Sequence, residues 1–375
     1  MKTILITGGT GFLGGSLVRR LARKDYRLIL LVRNKGKLGG GGLGRLLAEE
    51  DGKVPAHSAR IELLEGDVTR PLLGLESKVF LRLADEVDTV FHCAALTDFD
   101  DRDTLLRTNF VGTKEVLDFA VAQRPKRYHH ISSAFVSGKS NPQWNNATRK
   151  GRYNNAYEES KLVGEVLVRK YTSLYRLPAT IYRPSMIIGS SKNGYTKCFK
   201  GMYFFAKALY LISKTSEYAR GESFRMFGLI DAGINLVPMD YVADSIMAIS
   251  GDDDDERSIG KTFNVINPNP PSLQQLKVLL VRTMGIRDPE IVPLTDQTTL
   301  NSLERLYLSY TRPYLPYVHN KYKFYSSNTR ELLMEKDIIC PRIDRRLVSL
   351  LTDFAIRNNW GNDTEQKKPV LGGLN

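Results

Sequence analysis

The apolar run Ile4-Leu5-Ile6 leads straight into Thr7-Gly8-Gly9-Thr10-Gly11-Phe12-Leu13-Gly14, and then into a stretch whose Leu13, Leu17, Val18 and Leu21 share one helical face. Strand, glycine-rich turn and amphipathic helix in that order predict a βα unit whose turn approaches a ligand backbone to backbone. Gly8 permits the tight turn, Gly11 lets a pyrophosphate come close, and Gly14 lets helix and strand pack together. The helix would present free amides and its positive dipole end to the phosphates. Thr7, Gly8, Thr10, Gly11, Phe12, Leu13 and Gly14 are the candidate dinucleotide-binding residues on this ground.

The same alternation continues through the first 190 residues. Strands are expected at 3–7, 28–32, 61–65, 89–92, 128–132 and 179–182, with helical patterns between them, such as 13–23 and 104–121. The fold class these imply is α/β: a doubly wound parallel-sheet Rossmann fold with a smaller C-terminal substrate lobe. Residues 1–190 form the dinucleotide-binding domain. Residues 191–361 form a mixed lobe, of which about 229–270, with a strand at 262–266, returns to the Rossmann core. Residues 362–375 lack periodicity and read as a disordered tail. Ser272 is the expected N-cap of a helix over 273–284, and a last helix is expected over 343–357.

Within 375 residues no apolar run reaches the roughly 18 needed to span a bilayer. Cys93, Cys198 and Cys340 are odd in number and form no paired spacing, which argues for a reducing compartment and no metal. With a strand at residue 3 leaving no room for a signal peptide, a cytoplasmic location is expected. Two biased segments carry no site: Gly39 to Gly44 holds five glycines without the Lys-Ser/Thr of a phosphate loop and reads as a flexible surface loop, and the acidic run Asp252 to Glu256 lacks the interleaving of a calcium loop. The net charge of +13 suits an acidic partner: nucleic acid, an anionic membrane, phosphorylated small molecules or an acidic carrier protein. Without a helix-turn-helix, zinc or RNA-binding signature, nucleic acid is set aside.

The pattern YxxxK occurs three times, at Tyr157 to Lys161, Tyr203 to Lys207 and Tyr317 to Lys321. Ser133 singles out the first, because it lies at the C-terminal end of a predicted strand and 24 positions before Tyr157. The i, i+4 spacing puts Tyr157 and Lys161 on one helix face, where an ammonium stabilises a phenolate. His92, His129 and His130 also fall on strands, where alternation gives neighbouring residues opposite faces. They read as sheet-covering side chains without a chemical role.

The GxxGxxG spacing and the order Ser133, Tyr157, Lys161 resemble the extended branch of the short-chain dehydrogenase/reductase superfamily. The resemblance implies that these three are the catalytic residues and that Tyr157 and Lys161 also touch the cofactor. It implies further that Asp67 and Val68 contact adenine, that Ala94, Ala95 and Asn109 line the cofactor, and that Arg183-Pro184-Ser185 runs along the nicotinamide. Where an acid would read the ribose 2′-hydroxyl, Arg33 stands, and no Asp or Glu occurs between Asp25 and Glu49. A guanidinium accepts a 2′-phosphate, so NADPH (NADP) is the expected cofactor, with Lys35 or Lys37 as helpers.

Gly66-Asp67-Val68-Thr69-Arg70-Pro71-Leu72-Leu73-Gly74-Leu75, the segment from Leu83 to Ala95, and Asn235 to Ala243 resemble the thioester reductase and fatty acyl-CoA reductase (male-sterility-type) branch, over roughly residues 1 to 270. That branch implies hydride transfer to an acyl thioester on coenzyme A or a carrier protein, giving an aldehyde and, with a second hydride, an alcohol, within lipid metabolism. A sugar-nucleotide epimerase or dehydratase, or a hydroxysteroid-type alcohol dehydrogenase, would share the whole cofactor site. Between Lys192 and Arg225, seven basic residues (Lys192, Lys197, Lys200, Lys207, Lys214, Arg220 and Arg225) face two acids and alternate with aromatic and aliphatic residues. This suits a hydrophobic acyl chain with an anionic head, on coenzyme A or an acidic carrier protein, and also peripheral contact with a membrane. A core helix with solvated lysines is the competing reading. The aromatic cluster Tyr307 to Tyr325 is expected in the substrate lobe.

Overall fold

The computed structural model describes residues 1–38, 41–47, 60–83, 86–99, 101–123, 125, 127–138, 153–251, 256–293 and 299–362. The expected tail from 363 onward, Gly39 and Gly40, and Asp252 to Asp255 lie outside them.

The strands are β1 (Lys2–Thr7), β2 (Tyr26–Val32), β3 (Ile61–Glu65), β4 (Thr89–His92), β5 (Arg127–Ile131), β6 (Ala179–Pro184), β7 (Met186–Ile188), β8 (Arg225–Phe227), β9 (Leu236–Pro238), β10 (Thr262–Val265) and β11 (Glu290–Val292). Seven of them form one parallel sheet in the order β10-β6-β5-β4-β1-β2-β3. The order reverses direction at β1 and β4, and such a switch point opens a crevice at the C-terminal strand ends. Helices α1 (Phe12–Leu21), α2 (Gly42–Leu47), α3 (Ser77–Arg82), α4 (Arg102–Leu106), α5 (Gly112–Gln123) and α6 (Ala156–Tyr175) connect the strands. The strands read as near-continuous apolar runs because a parallel sheet is covered on both faces. One layer of the core joins Leu5, Ile29, Leu31 and Val90 to Val116, Phe119 and Val168.

The chain divides into two compact units. The first, Met1–Ser185 with Tyr241–Ile266 and Phe324–Ile339, holds the seven-stranded sheet. Its first boundary lies at Ser185 rather than 190, and the returning segment is shorter than 229–270. The third piece falls inside the range that the sequence assigns to the lobe. There a helix, Ser327–Met334, places Asn328 Nδ2 2.6 Å from the Thr262 carbonyl and so covers the open edge strand β10. Phe324 and Tyr325 therefore belong to this unit, and Phe324 packs edge-on against Phe135.

The second unit pairs β7 with β9 and β8 with β11, all parallel, among helices Met202–Ile212, Leu273–Met284, Ser302–Thr311 and Arg345–Arg357. Ser272 caps its helix in a full capping box with Gln275, as expected. In the first unit Gly42–Leu47 is helical, although its glycines predict a flexible loop.

Candidate active site

Gly8 adopts φ +68°, and a Cβ there would fall 2.5 Å from the Ala94 nitrogen, so the first turn presses directly on the chain leaving β4. A Cβ on Gly14 would lie 2.2 Å from the Gly8 carbonyl oxygen; this glycine closes α1 onto its own turn rather than onto the strand. Gly11 differs from both. Its φ of −71° suits any residue, and a Cβ would meet only the Gly8 oxygen at 3.2 Å. The fold leaves open space in front of it. The first hydrogen bond of α1 runs from Gly15 N–H to Gly11 O at 2.8 Å, and the helix start carries neither a side-chain cap nor an acid. The amides of Phe12, Leu13 and Gly14 therefore lie outside the helical ladder, beside exposed Thr10. An open glycine face with uncapped amides fits a pyrophosphate.

Thr7 turns into the protein and begins a closed chain of hydrogen bonds. The Thr113 hydroxyl donates to the Asn109 carbonyl at 2.6 Å, so its oxygen accepts from His92 Nε2 at 3.1 Å. His92 Nδ1 then accepts the Thr7 hydroxyl at 2.8 Å, and the Thr7 oxygen takes the Ala94 N–H at 3.3 Å. Burial, with help from the Lys161 charge, drives the His92 pKa down to about 3 and keeps the ring neutral. His92 thus ties β1, β4 and α5 together beneath the site. His129 and His130 are buried on opposite faces; His129 stacks on Phe91 with ring centroids 4.4 Å apart.

Asn109 lies in a π-helical turn, Arg107–Val111, between α4 and α5, a bulge that often marks functional positions. Its side chain is fully engaged: Oδ1 accepts Leu96 N–H at 2.8 Å, and Nδ2 donates to Leu96 O at 3.0 Å and to Ser160 Oγ at 2.9 Å. It holds the loop after Ala94 and Ala95 against α6. Nothing in the sequence singles out Ser160 for this part.

Ser133 lies two residues past the end of β5, buried, with Oγ accepting Phe135 N–H at 3.2 Å. Tyr157 is in the first turn of α6, capped by Asn155, and its ring lies 6.2 Å from that of Phe99. One turn on, buried Lys161 donates from Nζ to the Ile131 carbonyl at 2.5 Å, two residues before Ser133. Burial pushes its pKa down to about 8, against the opposing pull of the Glu165 carboxylate. A further turn along, Glu165 is wholly buried and accepts both arms of Arg183, at 2.7 and 2.6 Å. The Arg183 guanidinium is spent on that pair, and Pro184 ends β6 before Ser185.

The other two YxxxK pairs are built into packing. The Tyr203 hydroxyl accepts Gly189 N–H at 3.0 Å, and Lys207 lies over the Tyr310 ring at 5.3 Å. Tyr317 packs between Tyr314 and Tyr322, while Lys321 pairs with Asp231.

Around the basic stretch the sequence reading needs correction. Met202, Tyr203, Phe205, Ala206, Ala208, Leu209 and Ile212 are core, so the apolar face invoked for acyl-chain or membrane contact is covered. Arg225 is bound by Glu304 at 2.6 Å, and Arg220 pairs with Glu222. Fewer free charges remain than the count of seven suggests. Among the described residues no helix is long and apolar enough to cross a membrane, and no cluster of His, Cys, Asp and Glu is placed to hold a metal ion.

At the far end of the crevice, Arg33 is exposed just past β2, and Val68 is buried beside Asp67. The Asp67 carboxylate accepts the Thr69 amide and hydroxyl, both at 2.9 Å. The Lys37 side chain lies outside the described residues.

A pH dependence follows from Lys161. Lys161 is an ammonium below a pKa of about 8 and a neutral amine above it, and in the role expected for it beside Tyr157 only the ammonium serves. The profile of kcat/KM for reduction should therefore fall on the alkaline side near pH 8; a profile flat to about two units beyond would contradict this role.

Sheet order, glycine turn and the Ser133, Tyr157 and Lys161 arrangement together define a dinucleotide-binding α/β protein of oxidoreductase type. Residues 6–246 match the male sterility protein family of NAD-binding domains. A linear gramicidin synthase polypeptide of Brevibacillus parabrevis is 27% identical over 95% of this chain and 7% of its own length. A carboxylic acid reductase of Mycobacterium tuberculosis is 30% identical over 72% of this chain and 25% of that protein. The terminal R domain from the myxalamid PKS-NRPS biosynthetic pathway superposes with a TM-score of 0.77 at 26% identity, covering 96% of this chain and 92% of that one. The chain thus spans a quarter or less of these two curated relatives. It belongs to the male sterility family, within the extended short-chain dehydrogenase/reductase superfamily of NAD(P)-dependent oxidoreductases.

Proposed function

We propose that this chain is an NADPH-dependent reductase of acyl thioesters that releases an aldehyde. The observation that carries the reading is the Lys161 ammonium bonded to the Ile131 carbonyl, two residues before Ser133, with Tyr157 one helical turn earlier on α6, in a member of this family. Likeness to a carboxylic acid reductase and to the R domain of a PKS-NRPS pathway supports the thioester over a sugar or steroid.

Thr7 to Gly14 would hold the pyrophosphate, Asp67 and Val68 the adenine, and Ala94, Ala95, Pro184 and Ser185 the inner face of the cofactor, which supplies a hydride when bound. Ser133 and Tyr157 would hydrogen-bond the thioester carbonyl oxygen as negative charge develops on it. Tyr157 would deliver a proton to that oxygen, and Lys161 would hold the ribose and favour the phenolate left behind. The hemithioacetal then collapses to thiol and aldehyde. The thiol is read as the arm of an acidic carrier protein, with coenzyme A as the smaller alternative; the net charge of +13 favours an anionic carrier of either kind.

NADPH consumption should be measured with acyl-carrier-protein thioesters, acyl-CoAs, free aldehydes, ketosteroids and nucleotide sugars. Thioester turnover with thiol release is the expected result. Conversion of a nucleotide sugar or steroid with no thioester activity would sink the proposal. For the cofactor, NADPH should bind at least about tenfold tighter than NADH, roughly 1.4 kcal/mol, and Arg33→Asp should narrow or reverse the gap. Equal affinities in the unmutated protein would refute the NADPH reading.

A further inference from the structure

Strands β2 and β3 end side by side, with Val32 opposite Glu65 and Gly66 N–H donating to Val32 O at 2.9 Å. Arg33 and the Gly66-Asp67 pair therefore leave the sheet together. Beyond Asp67 the backbone does something unusual. Leu72 (φ 55°, ψ 28°), Leu73 (φ 60°, ψ 22°) and Gly74 (φ 69°) are consecutive residues in the left-handed region, which two leucines enter only against steric resistance. Such a conformation persists where its surroundings enforce it, and it concentrates at ligand sites.

The enforcement is visible. Leu73 O accepts Asp67 N–H at 2.7 Å, Leu75 N–H donates to Leu72 O at 3.1 Å, and the Leu73 side chain is completely buried. A Cβ on Gly66 would lie 2.6 Å from the Leu73 oxygen, so the turn sits on a position that only glycine can occupy. What the turn delivers is Arg70. Its N–H donates to Asp67 O at 3.0 Å, and its stem passes over Gly74, with Cδ 3.5 Å from where a Cβ would stand.

The guanidiniums of Arg33 and Arg70 are both exposed, and among the described residues neither has a side-chain hydrogen bond or ion pair. Asp67 forms no ion pair with either; the Thr69 amide and hydroxyl both hold its Oδ1. Burial of that carboxylate is outweighed by the Thr69 hydrogen bonds and by the charges of Arg33 and Arg70, which hold it below its usual range and put both cations within its electrostatic reach. Two guanidiniums in the field of this one carboxylate keep a net positive charge, which an anion with several acceptor oxygens would balance.

We propose that Arg70 is the second half of a receptor for the ribose 2′-phosphate, gripping it opposite Arg33, and that the left-handed Leu72-Leu73-Gly74 turn serves to hold Arg70 there. The proposal rests on the NADPH reading and extends it to a residue outside the second strand. A phosphate monoester offers three acceptor oxygens, enough for two planar guanidiniums, whereas the bare 2′-hydroxyl of NADH offers neither arginine an anion.

The test is calorimetric binding of NADPH, NADH, adenosine 2′,5′-bisphosphate and adenosine 5′-monophosphate to the full chain, which needs no turnover. Arg70→Ala should weaken NADPH and the bisphosphate by about tenfold or more, the scale of losing a charge-assisted hydrogen bond, and leave NADH and the monophosphate unchanged. Arg70→Lys should recover only part of the loss. If Arg70→Ala weakens all four alike, Arg70 supports the turn rather than the phosphate and the proposal falls. It falls equally if Arg33→Ala abolishes the preference while Arg70→Ala leaves it intact; the NADPH reading then survives alone. Equal binding of NADPH and NADH by the unmutated protein removes both.

Discussion

Replacing Tyr157 by Phe is expected to cut turnover by roughly 10² or more, the usual contribution of a positioned proton donor, while cofactor affinity stays unchanged. On the first turn of α6 the Glu158 and Glu159 carboxylates accept hydrogen bonds from Asn154 and Arg102, which leaves the Tyr157 hydroxyl as the proposed donor to an oxyanion. The ring and the turn remain, since the helix start is capped by Asn155 accepting Glu158 N–H at 3.0 Å and does not depend on that hydroxyl. Tyr203→Phe makes the contrast. It strips the Gly189 amide of an acceptor in a buried place, so it should lower stability by about 1–3 kcal/mol and leave turnover per folded molecule near the starting value. Single-turnover rates with cofactor titrations for both variants decide the matter. Normal turnover by Tyr157→Phe alongside a dead Tyr203→Phe would mean that the chemistry belongs to the other motif.

The parts of the fold that sequence reading recovers are those with a periodic or steric signature. All seven strands of the large sheet fall within about two residues of their apolar runs, since parallel strands buried on both faces have little choice of composition. Gly8 and Gly14 are legible because no other residue fits their contacts. The three-residue strands Met186–Ile188, Arg225–Phe227, Leu236–Pro238 and Glu290–Val292 are too short to carry a period. Leu72 and Leu73 give no hint of positive φ, because leucine has no preference for it. Lys207 and Arg225 read as surface charge on a greasy stretch, yet an aromatic ring and a buried acid hold them. Glu165 escapes a sequence reading for the opposite reason: an acid on an amphipathic helix looks solvated. Its signal is its place four residues after Lys161, on the face that α6 turns inward.

That buried acid carries the last expectation. Glu165→Ala should destabilise the protein by about 3–5 kcal/mol, the cost of leaving a buried charge without its partner, because Arg183 loses both its hydrogen bonds at 2.7 and 2.6 Å and is itself buried away from solvent. Arg169 adds to the imbalance, since its guanidinium lies 3.8 Å from the same carboxylate and its pKa is already lowered by burial. Replacing the pair together, as Glu165→Leu with Arg183→Met, removes charge and counter-charge at once and should recover most of the loss in urea denaturation. The same substitutions reach the chemistry through Lys161. Its ammonium is stabilised by the Glu165 charge, so removing that charge lets desolvation act unopposed and moves the lysine pKa further down from about 8. The alkaline limb of kcat/KM should shift to lower pH in Glu165→Ala and in the double variant alike, even where stability is restored. A stability loss with the alkaline limb unmoved would make Glu165 a partner of Arg183 only, with no influence on the proton held at Lys161.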